Sequence, residues 1–191
     1  MTTSKLSKQT SFLREIEKLK TVERKNKTMD GRYENSAEHS WHVAMMALVL
    51  GNYASPTIDL FKVLKMLLIH DLVEIYAGDT WLYETNQKNK YELELESAEQ
   101  LFSLLPSEQE KEFFQLWEEF ENNGSEEAKY AKAVDGLQPL INHLDTAGEP
   151  DNLLSVGQVE EKKKHIGEYS PILGDLVKEI ILKSVNKGLY R

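Results

Sequence analysis

The dipeptide His70-Asp71 closes a strongly apolar segment, directly after Leu67-Leu68-Ile69. A histidine and an aspartate there must reach a cleft, pair with each other or bind a metal ion, because burial without a partner costs free energy. Glu74 follows at helical spacing, so the three side chains can converge on one side of a helix end. This segment alone leaves two interpretations open: a metal site, or residues that cap the helix and bond nearby backbone.

Two further polar residues lie on apolar faces of predicted helices. His39 shares its face with Val43, and Asp135 follows Val134, so both side chains are expected to point inward. A lone inward histidine is usually a hydrogen-bonded core residue, but a buried carboxylate needs a charged partner. The inward positions of all four residues are accounted for if two imidazoles and two carboxylates from three helices bind one metal ion. Such a site would be octahedral, with positions left for water. We therefore expect one divalent ion (Mn, Co, Fe, Ni, Mg or Zn), held by His39, His70, Asp71 and Asp135.

Composition restricts the classes of protein that the chain can represent. Its 191 residues suffice for one domain, and 40% hydrophobic with 29% charged residues is typical of a globular protein. The absence of cysteine leaves histidine and carboxylate as metal ligands. A net charge of -9 argues against a long nucleic acid as partner. The apolar runs are far shorter than the roughly 20 residues of a membrane span, and the N-terminus lacks an apolar signal core, so a cytoplasmic protein is expected.

Helical periodicity dominates the chain and no convincing strand pattern appears, so an all-α fold with few or no strands is predicted. An N-terminal helix precedes a second helix that starts near Asn35 or Ser36, which are good caps. A third is expected to run from Pro56 past the His-Asp pair to about Tyr76, before Gly78 ends it. Further helices are predicted at Asn89 to Leu104, Ser107 to Asn122, Glu126 to Leu144, Leu153 to Ile166, and Ile172 to Asn186.

The order of the four expected ligands resembles the H...HD...D signature of the HD superfamily of metal-dependent phosphohydrolases. The sequence around them is similar to the bacterial 5'-deoxynucleotidases and the related HD-domain-containing protein 2 family. The similarity spans roughly Leu19 to Leu144, most of the chain. The matching segments are Glu34 to Ser40, His70 to Asp79, Leu116 to Phe120, and Ala128 to Asp135.

The resemblance implies a role for each matching residue. The four ligands would hold the ion, Glu74 would be the acid-base residue beside it, and Asp79 would be a catalytic, substrate-positioning carboxylate. A cation such as Arg24 or Arg32 can hold phosphate oxygens in a fork. In the nucleotidase pattern a tryptophan follows the arginine, whereas Lys25 follows Arg24 here. The resemblance therefore does not identify a residue of this chain that contacts the sugar or the base.

The remaining histidines and one tryptophan are weaker candidates. His42, one turn beyond the first ligand, could contact phosphate or orient a ligand, with a packed histidine as the alternative. His143 is expected to be structural or at the surface. His165 is expected to share a solvated helix face with the charged run Glu160 to Lys164. Trp81, just after the proposed catalytic segment, is a candidate pocket residue.

The sequence as a whole predicts a single HD-domain helical bundle over residues 1–191, with a metal-site core at about 19–144 and C-terminal helices at about 152–187. The predicted function is a metal-dependent phosphomonoesterase, a 5'-nucleotidase that acts on (deoxy)nucleoside 5'-monophosphates. Two alternatives remain open. One is an HD-type hydrolase of another ester, such as a nucleoside triphosphate, a cyclic nucleotide or a non-nucleotide phosphate; the other is a non-catalytic nucleotide-binding module. We expect a small phosphorylated partner, no membrane association, and a homodimer by analogy.

Overall fold

A computed structural model of the chain describes residues 4–79, 89–146 and 154–191. Across these residues the structure is helical apart from a short hairpin, so the predicted all-α fold is confirmed. The helices are α1 (Lys5–Glu15), α2 (Ser36–Val49), α3 (Leu60–Ile69), α4 (Glu74–Ala77), α5 (Lys90–Phe102), α6 (Ser107–Glu121), α7 (Glu126–Thr146), α8 (Val156–Tyr169) and α9 (Pro171–Asn186). The hairpin strands are β1 (Glu23–Lys27) and β2 (Tyr33–Asn35). Within this part of the chain, no helix combines the length and apolar character needed to cross a bilayer.

The hairpin leads the chain directly into α2. Its strands pair antiparallel, with Glu23 opposite Asn35. The Asn35 side chain accepts a hydrogen bond from the backbone N–H of Glu38, and the Glu38 carboxylate accepts one from the backbone N–H of Asn35. This capping box satisfies free N–H groups of the first turn and confirms the predicted start of the helix. The same first turn carries His39.

The helix predicted from Pro56 to about Tyr76 is present, but it begins at Leu60 and is divided by a 3₁₀ turn at the His-Asp pair. The carboxylate of Asp59 accepts hydrogen bonds from the first free N–H groups, so α3 begins later than expected. At His70–Val73 the chain tightens into a 3₁₀ turn, and α4 follows until Gly78 ends it with a φ of 77°, as expected. The tighter turn therefore falls on the His-Asp pair itself, and it sets the directions of both side chains.

Helix α7 packs against α2, α3, α6, α8 and α9. Its Val134 side chain is fully buried, and buried apolar residues from Phe12 to Tyr190 form one cluster around it. Helices α8 and α9 approach closely: a Cβ placed on Gly174 would lie 2.6 Å from the Cα of Gly167, so this crossing requires glycine. The central position of α7 brings its middle turns next to α2 and α3, where the predicted ligands lie.

Candidate metal centre

Three elements bring the four expected ligands to one place. His39 lies in the first turn of α2, His70 and Asp71 lie in the 3₁₀ turn after α3, and Asp135 lies in α7. Ligand atoms of His39, His70 and Asp135 all lie within 4.8 Å of one another. Asp71 joins them, with its Oδ1 3.0 Å from Nε2 of His70 and its Oδ2 3.8 Å from Nε2 of His39. The result is a compact cluster of two imidazoles and two carboxylates.

Each histidine of this cluster is oriented through its Nδ1 atom. His70 Nδ1 lies 2.8 Å from the carbonyl oxygen of Leu67, and His39 Nδ1 lies 3.1 Å from Oε1 of Gln138. The Nε2 atoms therefore face the carboxylates, at 2.9 Å from Asp135 Oδ1 for His39 and 3.6 Å for His70. A hydrogen bond from one imidazole nitrogen to an acceptor leaves the other nitrogen free to bind a metal ion.

The charges of the cluster suit a cation. The Nε2 atom of His70 is sealed from solvent and finds no regular hydrogen bond among the described residues. Burial would lower the pKa of His70, but the attraction of Asp71 and Asp135 raises it to about 9. Burial would raise the pKa of Asp135, but its interactions with His39 and His70 lower it well below its ordinary value. Carboxylates that hold a proton on a buried imidazole offer the negative charge that a divalent ion requires.

Glu74, the predicted acid-base residue, begins α4 next to the cluster. Its Oε2 accepts a 2.6 Å hydrogen bond from Oγ of Ser36, and its Oε1 lies 3.9 Å from Nη1 of Arg24. Burial and repulsion from Asp71 raise the pKa of Glu74 to about 9, against the attraction of Arg24. Burial thus increases the proton affinity of this carboxyl group, a property that general acids share.

Arg24 of β1 approaches the cluster from the hairpin. Its Nη1 donates to Asp71 Oδ2 at 2.8 Å and lies 3.9 Å from Asp79 Oδ1, and its Nε lies 3.7 Å from Glu34 Oε2. Burial opposes its charge, but the nearby carboxylates of Asp71, Glu74 and Asp79 outweigh this effect and raise the pKa of Arg24. The structure therefore brings Arg24 and Asp79 together with the four expected ligands, and it keeps a cation beside them.

Two of the expected substrate-binding residues lie further away. Arg32 is exposed, and its guanidinium binds both carboxylate oxygens of Glu38 at 2.7 and 2.8 Å. Within the described part of the chain, its contacts do not reach the cluster. His42 contacts Gln138, which in turn contacts the ligand His39. The Nδ1 atom of His42 lies 3.3 Å from Nε2 of Gln138. Trp81, the candidate pocket residue, lies outside the described residues.

Two buried residues absent from the sequence-based predictions support the histidines. Gln138 is fully buried; its Oε1 faces His39 Nδ1, and its Nε2 donates to Glu34 Oε1 at 2.8 Å. Glu34, at the end of the hairpin, is buried as well, close to Arg24. Gln138 lies one helical turn after Asp135, a spacing that could have identified it. Glu34 belongs to the matching segment Glu34 to Ser40, but its role was not predicted because the hairpin was not.

The charged run Glu160 to Lys164 of α8 is exposed as the sequence predicted, except at Lys163, and His165 after it is partly buried. Lys163 is only 5% exposed and lies on the buried face of α8 with Val159 and Ile166. His165 is partly buried, and its Nε2 lies 3.3 Å from the carbonyl oxygen of Lys132 on α7. The prediction was wrong for Lys163 and His165 because α8 packs against α7 along this part of the helix.

Comparisons with known proteins agree with this geometry. Residues 16–172 match the family model described as HD domain. The chain is 31% identical to the Mus musculus protein named 5'-deoxynucleotidase HDDC2, over 74% of this chain and 73% of that protein. It is 29% identical to the Danio rerio protein of the same name, over 83% of this chain and 75% of that one. A crystal structure described as a predicted metal-dependent phosphohydrolase from Magnetospirillum magnetotacticum has a TM-score of 0.92 and 38% identity, covering 98% of this chain and 96% of that one.

Proposed function

The chain belongs to the HD domain family, and we propose that it is a metal-dependent phosphohydrolase that removes the phosphate from (deoxy)nucleoside 5'-monophosphates. The observation that carries this proposal is the meeting of His39, His70, Asp71 and Asp135 around one point, beside the buried guanidinium of Arg24. The names of the mouse and zebrafish relatives support a nucleoside monophosphate as the substrate class.

The cluster has the donor set of a site for one divalent ion. Imidazole and carboxylate donors together suit Mn, Co, Fe, Ni and Zn, and Mg is the remaining candidate. When bound, such an ion supplies Lewis acidity, which makes water a stronger nucleophile and polarises a phosphoryl oxygen. Hydrolysis by this route needs no nucleophilic side chain. The side chains around the cluster are then left to bind the phosphate and to move protons.

Arg24 and Asp79 position the substrate in this proposal. The guanidinium presents parallel N–H groups that match two phosphate oxygens in a fork. Asp79, 3.9 Å from Nη1 of Arg24, holds the guanidinium from a second direction besides Asp71. Substrate contacts by Arg32 and His42 stay predictions, and the positions of both residues favour Arg24 as the principal phosphate-binding arginine.

Glu74 moves the proton. Its carboxylate takes a proton from water as the new P–O bond forms, and the bond between phosphorus and the 5'-oxygen breaks. The same carboxyl group then passes the proton to the leaving 5'-oxygen, so the products are a nucleoside and inorganic phosphate. Ser36 orients Glu74 through the 2.6 Å hydrogen bond to Oε2. A divalent cation at the cluster would lower the raised pKa of Glu74, so that its carboxylate is available to take the proton.

The finer features of the assembly are also part of the proposal. We infer a homodimer that forms through an apolar stripe on α2, made of Trp41, Met45 and Leu48, which are 65%, 41% and 48% exposed. Exposed apolar side chains that follow helical spacing are typical of an interaction surface. A single domain over residues 1–191 and a cytoplasmic location stay predictions.

A panel of phosphate esters tests the proposed function. Metal-free protein is loaded with each candidate ion and mixed with deoxyribo- and ribonucleoside 5'-monophosphates, a nucleoside triphosphate, a cyclic nucleotide and a sugar phosphate. Both sugars are included because Lys25 follows Arg24. Phosphate and pyrophosphate are measured separately, and the His70→Ala protein, prepared identically, controls for contaminating phosphatases.

The expected result is phosphate release from the nucleoside monophosphates, without pyrophosphate. Release of pyrophosphate from the triphosphate, or turnover of the cyclic nucleotide or sugar phosphate alone, would replace the proposal with another HD-type hydrolase. A protein that binds the ion and turns over no ester would instead be a binding module.

A further inference from the structure

Lys163 is a buried cation that the proposed reaction does not yet use. It lies on the inner face of α8 between Val159 and Ile166, and only 5% of its surface is exposed. Within the described ranges its ammonium has no hydrogen-bonded or ion-paired side chain; only longer-range charges act on it. Because burial of an unpaired ammonium is unfavourable, a position of this kind is suited to an anion that arrives from solution.

Lys163 lies on the helix that packs against α7, the helix that carries Asp135. Helix α8 packs on α7 immediately next to Asp135, since a Cβ placed on Gly136 would lie 2.8 Å from Nε2 of His165. Outside its own helix, the charges that act on Lys163 are Asp135, which attracts it, and Arg24, which repels it. Burial is the largest effect and lowers the pKa of Lys163 to about 8. Lys163 therefore lies on the α8 side of α7, within the electrostatic range of Asp135, whereas Arg24 lies on the hairpin side.

A second cationic side chain would strengthen the binding of a phosphate dianion at this centre. Arg24 is already surrounded by carboxylates, with Asp71 at 2.8 Å, Glu34 at 3.7 Å and Asp79 at 3.9 Å. A lysine ammonium is a compact charge with three donors, which suits a single phosphoryl oxygen. Among the residues that the structure describes, Lys163 also has no carboxylate partner to release before it can bind such an oxygen.

We propose that Lys163 binds a phosphoryl oxygen of the substrate, and of the product phosphate, from the α8 side of the centre. The identity of the ester rests on the proposed function. The contact itself requires only a phosphate dianion at the cluster. Lys163 takes part in no covalent step and donates no proton in this role.

The experiment replaces Lys163 with methionine, an apolar side chain of similar length, and compares it with Lys162→Met, which changes an exposed lysine next to it in sequence. Isothermal titration calorimetry on the metal-loaded proteins measures the Kd for inorganic phosphate, and steady-state assays measure KM for a nucleoside monophosphate. Loss of a charge-assisted hydrogen bond should raise both constants about 10- to 100-fold in Lys163→Met. Lys162→Met should match the wild type, and Lys163→Arg should recover part of the affinity.

Thermal stability separates this role from a structural one. Since Lys163→Met removes an unpaired buried charge, its Tm should equal or exceed that of the wild type. A lower Tm with an unchanged phosphate Kd would mean that Lys163 supports the fold, and the proposal would be overturned.

Phosphate binding also separates this inference from the proposed function. If the wild type hydrolyses no monoester but Lys163→Met still weakens phosphate binding, the proposed function fails and the anion contact stands. If the wild type is active and both lysine variants bind phosphate equally, the Lys163 contact is refuted while the proposed function stands. A metal-loaded wild type that binds no phosphate would also refute the contact.

Discussion

The two sides of the metal centre are built differently. On the histidine side, which comprises His39, His70 and Gln138, each Nδ1 atom faces one acceptor, and Gln138 is held in turn by Glu34. On the arginine side, which comprises Arg24, Glu74 and Asp79, several carboxylates share a single guanidinium at distances from 2.8 to 3.9 Å. The first arrangement fixes the orientation of the histidine rings. In the second, the carboxylates around Arg24 can exchange partners.

This difference separates holding an ion from carrying out a reaction. Ligands must keep one geometry, and hydrogen bonds to their outer nitrogens provide it. Groups that bind substrate or move protons must exchange partners during each turnover. Crowded carboxylates around Arg24 allow such an exchange, because a phosphate can replace one of them without leaving the guanidinium unpaired. The comparison predicts that substitutions on the two sides separate metal affinity from the rate of the chemical step.

The largest effect is expected when a ligand is removed from the histidine side. His70→Ala should lose both the ion and all phosphate release, because the ion supplies the activation of water. The wild type should also lose thermal stability in chelator, since an ion at about 100 times its Kd contributes about 2.7 kcal/mol to folding stability. Metal analysis, phosphate assays and thermal melts measure the three quantities. Activity that survived in His70→Ala would place the active site elsewhere.

Substitution of Glu74 should give the second largest effect and leave the ion in place. Glu74→Gln keeps an oxygen that can accept the hydrogen bond from Ser36 but removes the proton-accepting carboxylate. We expect kcat to fall about 10²- to 10⁴-fold, the usual contribution of a general acid-base group. Metal content and Tm should match the wild type. A variant that lost its ion would identify Glu74 as a fifth ligand, and normal turnover would transfer the proton role to Asp79.

The contrast between the two sides also explains what the sequence could predict. Helical spacing places His39 and Asp135 on inward faces, and a polar residue on such a face is visible in the sequence alone. The His-Asp pair is visible because it interrupts an apolar run. The four ligands of the proposed site could therefore be selected without coordinates, although the 3₁₀ turn that aims two of them could not.

The supporting residues were harder to predict because their roles depend on tertiary packing. Glu34 becomes a partner of Gln138 only once the hairpin folds against α7. Lys163 lies at helical spacing from Val159 and Ile166, a signal that the interpretation of the charged run as a solvated face did not use. Burial of one lysine out of three is decided by where α8 meets α7. The role of a residue that acts through a neighbouring element therefore cannot be predicted from the local sequence pattern alone.

Gln138 tests the histidine side with a moderate effect. Gln138→Leu removes the acceptor of His39 Nδ1 and the donor to Glu34 while keeping the position buried. Loss of such an outer hydrogen bond should weaken metal affinity about 10- to 100-fold. At saturating metal, kcat should stay close to that of the wild type, because Arg24 keeps its contacts with Asp71, Glu74 and Asp79. Metal titration followed by activity assays measures both, and a low kcat at full occupancy would contradict the separation of the two sides.

The smallest effect on catalysis is expected at the apolar stripe of α2. Met45 lies at its middle, and Met45→Glu places a charge where two copies of the chain would meet, so the proposed dimer should dissociate into monomers. Light scattering coupled to gel filtration measures the mass, and Leu182→Glu, at an exposed apolar position on α9, is the matched control that should remain dimeric. The kcat of the Met45→Glu monomer should stay within about twofold of the wild type, because all described residues of the centre come from one chain.

A wild type that is already monomeric would refute the dimer. A monomeric variant without activity would mean that the centre depends on the second copy, and the division into two sides would then have to include that interface.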